Sequence, residues 1–145
     1  MFEIQHEQVE MLHLLEDWTR DPRGVRAVFE RLGNALSKTE NTTFSFKARP
    51  GVSYSLRAWA KRPYARAKTL FALVDVIDDD PENRWLSVCF YEEMITDPEE
   101  LGNLVPNGIL GDDGHCFDLF EYDSSLFSYL EKRISEAYGA AVSIL

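Results

Sequence analysis

Cys89, Cys116 and His115 are the side chains from which this sequence could build a nucleophile and its base, because a thiol is activated by an imidazole within hydrogen-bond reach. His115 and Cys116 are neighbours in HCFDLFEY, a stretch that reads as a strand, so they point to opposite faces and cannot serve each other. His115 with Cys89 is the combination left, and strand register decides it. Val88, Phe90 and Phe117 flank the cysteines and favour a plainer role as buried, reduced packing residues. Two cysteines are too few for a disulfide framework and lack metal-ligand spacing.

Metal chemistry would have to come from GDDGHCFDLFE, residues 111–121, which groups Asp112, Asp113, His115, Asp118 and Glu121. The alternating acids and central glycine of a calcium loop are missing, as are HExxH and paired CxxC. A solvated acidic loop is the expectation, with no metal and no other cofactor. GxxxxGK and GxGxxG are also absent, so nucleotide binding by those loops has no support.

Two charged residues inside apolar strands carry more information. Asp75 interrupts FALVDVI, where an unpaired carboxylate is costly and seeks a cation or several donors. Arg57 is its expected partner. In the favoured reading the two form a structural ion pair at the sheet margin. In the other, Arg57 and Asp75 line a polar pocket with Ser55, Ser87 and Trp85, under the turn-rich segment 102–114 as a lid.

The charge is also segregated along the chain. Net charge is -10, yet Phe46 to Lys68 holds seven bases (Lys47, Arg49, Arg57, Lys61, Arg62, Arg66 and Lys68) and no acid. Residues 75–123 hold fifteen acids against Arg84 alone. The first hairpin and the connection AKRPYARAK offer a positive patch for an anionic ligand, with Arg57, Trp59, Lys61, Arg62, Arg66 and Lys68 as candidate contacts and Tyr54, Trp59 and Tyr64 available for stacking. The acidic body of the molecule argues against nucleic acid. Opposite charge on adjacent strands would alternatively fix register within the chain.

These residues need elements to hold them. Ile4, Met11, Leu12, Leu15 and Trp18 make one helical stripe over residues 3–18. Asp21-Pro22 opens a second helix carrying Val25, Val28, Phe29, Leu32 and Leu36. The period then drops to two around Pro50-Gly51, which predicts a hairpin. Thr69–Ile77 and Arg84–Tyr91 read as interior strands, joined by a solvated loop at Asp78–Asn83. Asp97-Pro98-Glu99-Glu100 predicts a short helix, His115–Tyr122 a strand, and Asp123-Ser124-Ser125 the start of a last helix.

The expected product is a single α+β domain over residues 1–145. About five mainly antiparallel strands pack against two N-terminal helices and one C-terminal helix. The N-terminus lacks the pattern of a signal peptide and no apolar run reaches membrane-span length, so a cytoplasmic address without membrane contact is expected. The functional expectation is a non-catalytic protein-binding or adaptor module, its partner another protein or a second copy. The alternative is a small-ligand-binding protein or enzyme using the pocket near Arg57 and Asp75.

Overall fold

The alternation in TTFSFKAR puts Phe44, Phe46 and Ala48 on one side of the chain and Thr43, Ser45, Lys47 and Arg49 on the other. SYSLRAWA repeats the pattern after the Pro50-Gly51 turn, where Gly51 takes a left-handed φ of 83°. In the computed structural model, which describes residues 1–62 and 66–143, these become β1 (Thr42–Arg49) and β2 (Ser53–Ala60). β3 (Thr69–Ile77) and β4 (Trp85–Tyr91) follow the two apolar runs closely. β5 (Asn103–Ile109) and β6 (Asp112–Leu119) complete an antiparallel sheet of order β1-β2-β3-β4-β6-β5. The helices are α1 (Gln5–Asp17), α2 (Val25–Ser37) and α3 (Ser124–Ser143).

The sheet therefore has six strands, not about five. NLVPNGI looked like a run of turns because Pro106, Asn107 and Gly108 fall where the β5–β6 register shifts, between Val105 and Ile109. The helix expected at Asp97 is absent. Asp97 instead accepts the backbone N–H groups of Leu101 (3.0 Å) and Gly102 (2.8 Å), and a short 3₁₀ turn lies earlier, at Glu92–Met94. α2 starts at Val25, after Gly24 in the left-handed region, although Asp21 still accepts from the N–H of Arg26 at 3.1 Å.

All three helices cover one face of the sheet. Val28, Phe29, Leu32 and Leu36 of α2 and Leu130, Ile134, Ala137 and Ala141 of α3 meet Phe46, Leu56, Val74, Val76, Leu86, Val88 and Phe117. Burying such side chains stabilises the fold by about 1.5–3 kcal/mol each. α1 packs less deeply. Leu14 and Trp18 are buried, but Ile4 and Leu12 of its expected stripe are exposed. The outer edge of β1 is blocked, since Phe44 donates its N–H to the carbonyl of Met1 at 2.8 Å and Phe46 donates to Glu7 Oε1 at 2.7 Å. Among the described residues no helix is long and apolar enough to cross a membrane.

The loop at 78–83 is not solvated throughout. Asp78 is 3% exposed. It accepts from Arg84 Nε at 2.7 Å and from the N–H of Gly51 at 2.8 Å, while the Arg84 guanidinium lies 5.4 Å from the Trp18 ring centre. This ion pair clamps the β1–β2 turn to the β3–β4 connection.

Candidate functional site

The face of the sheet without helices is set by the odd partners of the same alternations. In register across it run Lys47, Ser55, Asp75, Ser87 and Asp118. A second row is Ser45, Arg57, Leu73, Cys89, Cys116 and Asn103; a third is Arg49, Ser53, Ile77 and Trp85. The face grades from basic on β1 and β2 to acidic on β6.

The β5–β6 hairpin curls over this face. Its two-residue connection, Leu110-Gly111, has φ of 49° and 90°, as tight hairpins between right-twisted strands require. Glycine accepts such a φ freely; for leucine it costs about 1–2 kcal/mol. Leu110 nevertheless stands there with 64% of its surface exposed. Ile109, beside it, is buried on Leu70, Leu73, Cys89 and Cys116.

Beneath the hairpin tip lies a cleft of about 200 Å³, lined by Lys47, Arg49, Ser53, Ser55, Arg57, Leu73, Asp75 and Gly108–Leu110. Arg57 and Asp75 share it without forming the expected ion pair: no salt bridge among the described residues includes Asp75. Arg57 Nε donates instead to Ser55 Oγ at 3.3 Å. Asp75 Oδ1 is shut off from solvent and has no hydrogen-bond partner among the described residues. Burial raises the Asp75 pKa, against the opposing pull of the Ser55 hydroxyl and the Arg57 and Arg49 charges. Thr43 Oγ1 and Arg133 Nη1 are similarly unpartnered. Thr43 is neutral, however, and Arg133 keeps an ion pair with Glu136 and sits 4.4 Å from the Tyr129 ring centre.

No family model, curated protein or solved structure matches this chain. Its site is read from its own geometry.

The remaining candidates scatter. Trp59 Nε1 donates to Ser45 Oγ at 2.9 Å, and Lys68 lies 4.7 Å from the Trp59 ring centre while pairing with Glu3 at 3.0 Å. Lys61 and Arg62 border a separate concavity with Met1, Ser37 and Asn41–Thr43, at the other end of β2. Arg66 is exposed on the β2–β3 connection. Ser87 adjoins Asp75 in register but does not line the cleft, and Trp85 stacks on Phe120 at 4.9 Å. Tyr54 lies on the opposite face, stacked on Phe46, and Tyr64 falls outside the described residues. Lys47, Arg49, Ser53 and Leu73 line the cleft but were not among the expected pocket residues, Lys47 and Arg49 having been read only as part of the basic hairpin. The signal for Lys47 and Arg49 was the β1 alternation, which put them on the Arg57 face.

The thiol chemistry dissolves in the register. Cys89 faces Cys116, Cα to Cα 4.1 Å, and the two form a disulfide rather than reduced thiols. His115 points to the helix-covered face. Its Nδ1 meets Glu92 Oε2 at 2.6 Å and its Nε2 meets Asp97 Oδ2 at 2.8 Å, while Tyr129 donates to the other Asp97 oxygen. Desolvation works against the imidazolium, but the two carboxylates outweigh it and raise the His115 pKa. Desolvation likewise opposes the Asp97 carboxylate, and the hydrogen bonds from Tyr129, His115, Gly102 and Leu101 hold its pKa far below the usual range. With both ring nitrogens engaged, His115 anchors the 92–102 segment and has no nitrogen left for a substrate. Among the described residues no group of three or more His, Cys, Asp or Glu could hold a metal.

Proposed function

We propose that this chain is a non-catalytic binding module whose ligand sits in the Asp75 cleft on the open face of the sheet. One observation carries the reading: Asp75 Oδ1 is enclosed and unpartnered beneath a hairpin tip, with three cations around it. An unsatisfied buried acceptor costs about 1–3 kcal/mol, which a sequence selected for stability alone would remove. The cleft volume of about 200 Å³ lies below the roughly 300–1,000 Å³ of pockets for drug-sized ligands, so the reading is confined to a very small molecule. The closed-off sulfur and imidazole groups favour binding over covalent catalysis.

A metabolite thermal-shift screen tests this reading. A ligand for the cleft raises the melting temperature of the parent by binding the folded state alone, and Asp75→Asn removes that rise. Hits unchanged by Asp75→Asn and by Arg57→Gln alike would place the site elsewhere. A protein partner or second copy on the basic stretch is the second reading. Lys61 and Arg66 favour it, for both are exposed and neither enters a salt bridge among the described residues. A pull-down lost on Lys61→Glu with Arg66→Glu, with no metabolite hit, would establish that reading in place of the first.

The disulfide bears on location. Such bonds persist mainly in oxidising compartments, which weighs against the cytoplasmic address the sequence suggested. Thiol labelling of protein trapped in acid from the source cell decides: two labelled cysteines restore the cytoplasmic reading.

A further inference from the structure

We infer that the Asp75 cleft takes a compact zwitterion, its anionic head held by Lys47, Arg49 and Arg57 and its protonated amine seated on the Asp75 carboxylate. The inference rests on the reading of this cleft as a ligand site. It follows from which charges line the walls and which of them lack partners.

Three cations and one carboxylate border the space. The cations enter no salt bridge among the described residues, and Arg57 is engaged only by the neutral Ser55 hydroxyl. A carboxylate or phosphate entering here gains charge-assisted hydrogen bonds, the strong kind. A simple anion, however, leaves Asp75 Oδ1 unpaired and sets a like charge beside it. A simple cation suits Asp75 and meets three cations on the way. A molecule carrying both charges answers both walls, with the ammonium supplying the donor that Asp75 lacks.

Leu73, Ile109 and Leu110 give the cleft an apolar flank. A short hydrocarbon stem between the two heads fits against them, and the cleft volume of about 200 Å³ limits the stem to a few carbons. Ser53 and Ser55 can each donate a further hydrogen bond to the anionic head. The chemical class is an amino acid or an aminoalkyl phosphate, which share the amine-plus-anion design and differ in the anionic head.

The test is an NMR titration of the full chain with ω-amino acids from glycine to γ-aminobutyrate, and with the acid and the amine matched to each. The backbone amides of Ser55, Leu73 and Gly108 report on the cleft. One zwitterion should bind on the order of tenfold or more tightly than its matched acid and amine, the size expected of one charge-assisted contact. O-phosphoethanolamine against ethyl phosphate repeats the comparison for a phosphate head. The preferred arm tells the two heads apart.

Asp75→Asn keeps the side-chain shape. It should weaken the zwitterion by about tenfold and tighten the acid by removing the like charge beside it, whereas Arg57→Gln should weaken both. If Asp75→Asn does not fold, the parent series alone still compares each zwitterion with its acid and its amine, and Arg49→Gln should weaken zwitterion and acid alike. An acid that binds as well as its zwitterion and moves the same amides leaves the cleft a ligand site and overturns the zwitterion; a protonated Asp75 donating to the anion would give this result. If no probe in either series moves these amides, both the inference and the reading beneath it fail.

Discussion

Asp78 and Asp75 belong to one stretch of chain, three residues apart at the end of β3, and the fold treats them oppositely. Asp78 turns to the closed side. There it collects a guanidinium, a backbone N–H and the cover of Trp18. Asp75 turns to the open face, where a carboxylate oxygen is enclosed without a partner. A compensated buried charge is architecture, because every group it needs is supplied by the chain. Asp75 is answered only in part, by the Ser55 hydroxyl and the Arg57 and Arg49 charges, and that is why the ligand-binding proposal centres on it.

Removing Asp78 should have the largest effect. Asp78→Ala strands the Arg84 guanidinium in a site where the arginine side chain is 8% exposed, and frees the Gly51 N–H. Breaking a buried pair in this way costs about 3–5 kcal/mol. Urea denaturation measures it. A loss below about 1 kcal/mol would mean that the pair is solvated and that Asp78 differs little from Asp75.

The Cys89–Cys116 disulfide supports the floor next to the cleft, in the row beside Asp75. Closing a 27-residue separation should contribute about 2–4 kcal/mol. Native protein should give no thiol signal until reductant is added, and reduction should lower the unfolding free energy by that amount. Free thiols in unreduced, denatured protein would remove the bond from the account.

What the sequence made legible follows from the range of the signal. β3 was readable as Thr69–Ile77 because successive apolar residues need both faces covered, and Asp75 stood out as the charge among them. Asp78 was not readable, since DDDPEN has the local composition of a solvated loop and burial comes from Trp18, sixty residues away in sequence. The disulfide needed the register of β4 on β6, which no cysteine count provides. β5 was hidden by its own bulge, whose Pro106, Asn107 and Gly108 are turn residues inside a strand. The Arg57–Asp75 proximity was legible; its lack of an ion pair is a matter of side-chain direction and was not.

Asp75→Asn tests the unfinished member and should have the opposite sign to Asp78→Ala. Burial raises the folded-state pKa above the ordinary carboxylate value of 3.8, so the folded protein holds this proton longer than the unfolded chain does. Stability therefore falls as pH rises from about 4 through the raised pKa, and the full cost stands at neutral pH. Asn carries no such cost. The variant should be more stable than the parent at pH 7, with the gain vanishing below pH 4. A destabilised variant at pH 7 would show that Asp75 is compensated after all.

His115 gives the closed side its own pH signature. Its raised pKa means that its contribution is fully present below the unfolded value of about 6.5 and is lost as pH rises through the folded value. His115→Gln should flatten the decline of melting temperature on the alkaline side of pH 6.5 while leaving the acidic-side effect of Asp75 intact. If both variants flatten the same limb, the two groups are coupled and the faces are not independent.

The smallest effect is expected where charge is densest. Reversing Lys61, Arg62, Arg66 and Lys68 to Glu leaves the cleft cations in place and removes the Lys68–Glu3 pair, an exposed contact of about 0–1 kcal/mol. No salt bridge among the described residues joins these four to the acidic segment 75–123, so reversal does not break a cross-strand pair. Melting temperature should change little, and added salt should change it little further, because screening acts over roughly 8 Å at physiological ionic strength. Any ligand of the Asp75 cleft should still bind, while any protein partner held by the basic stretch should be lost. A marked loss of stability that salt restores would show instead that the stretch answers the acidic half of its own sheet, and charge on the open face would then belong to the architecture as fully as Asp78 does.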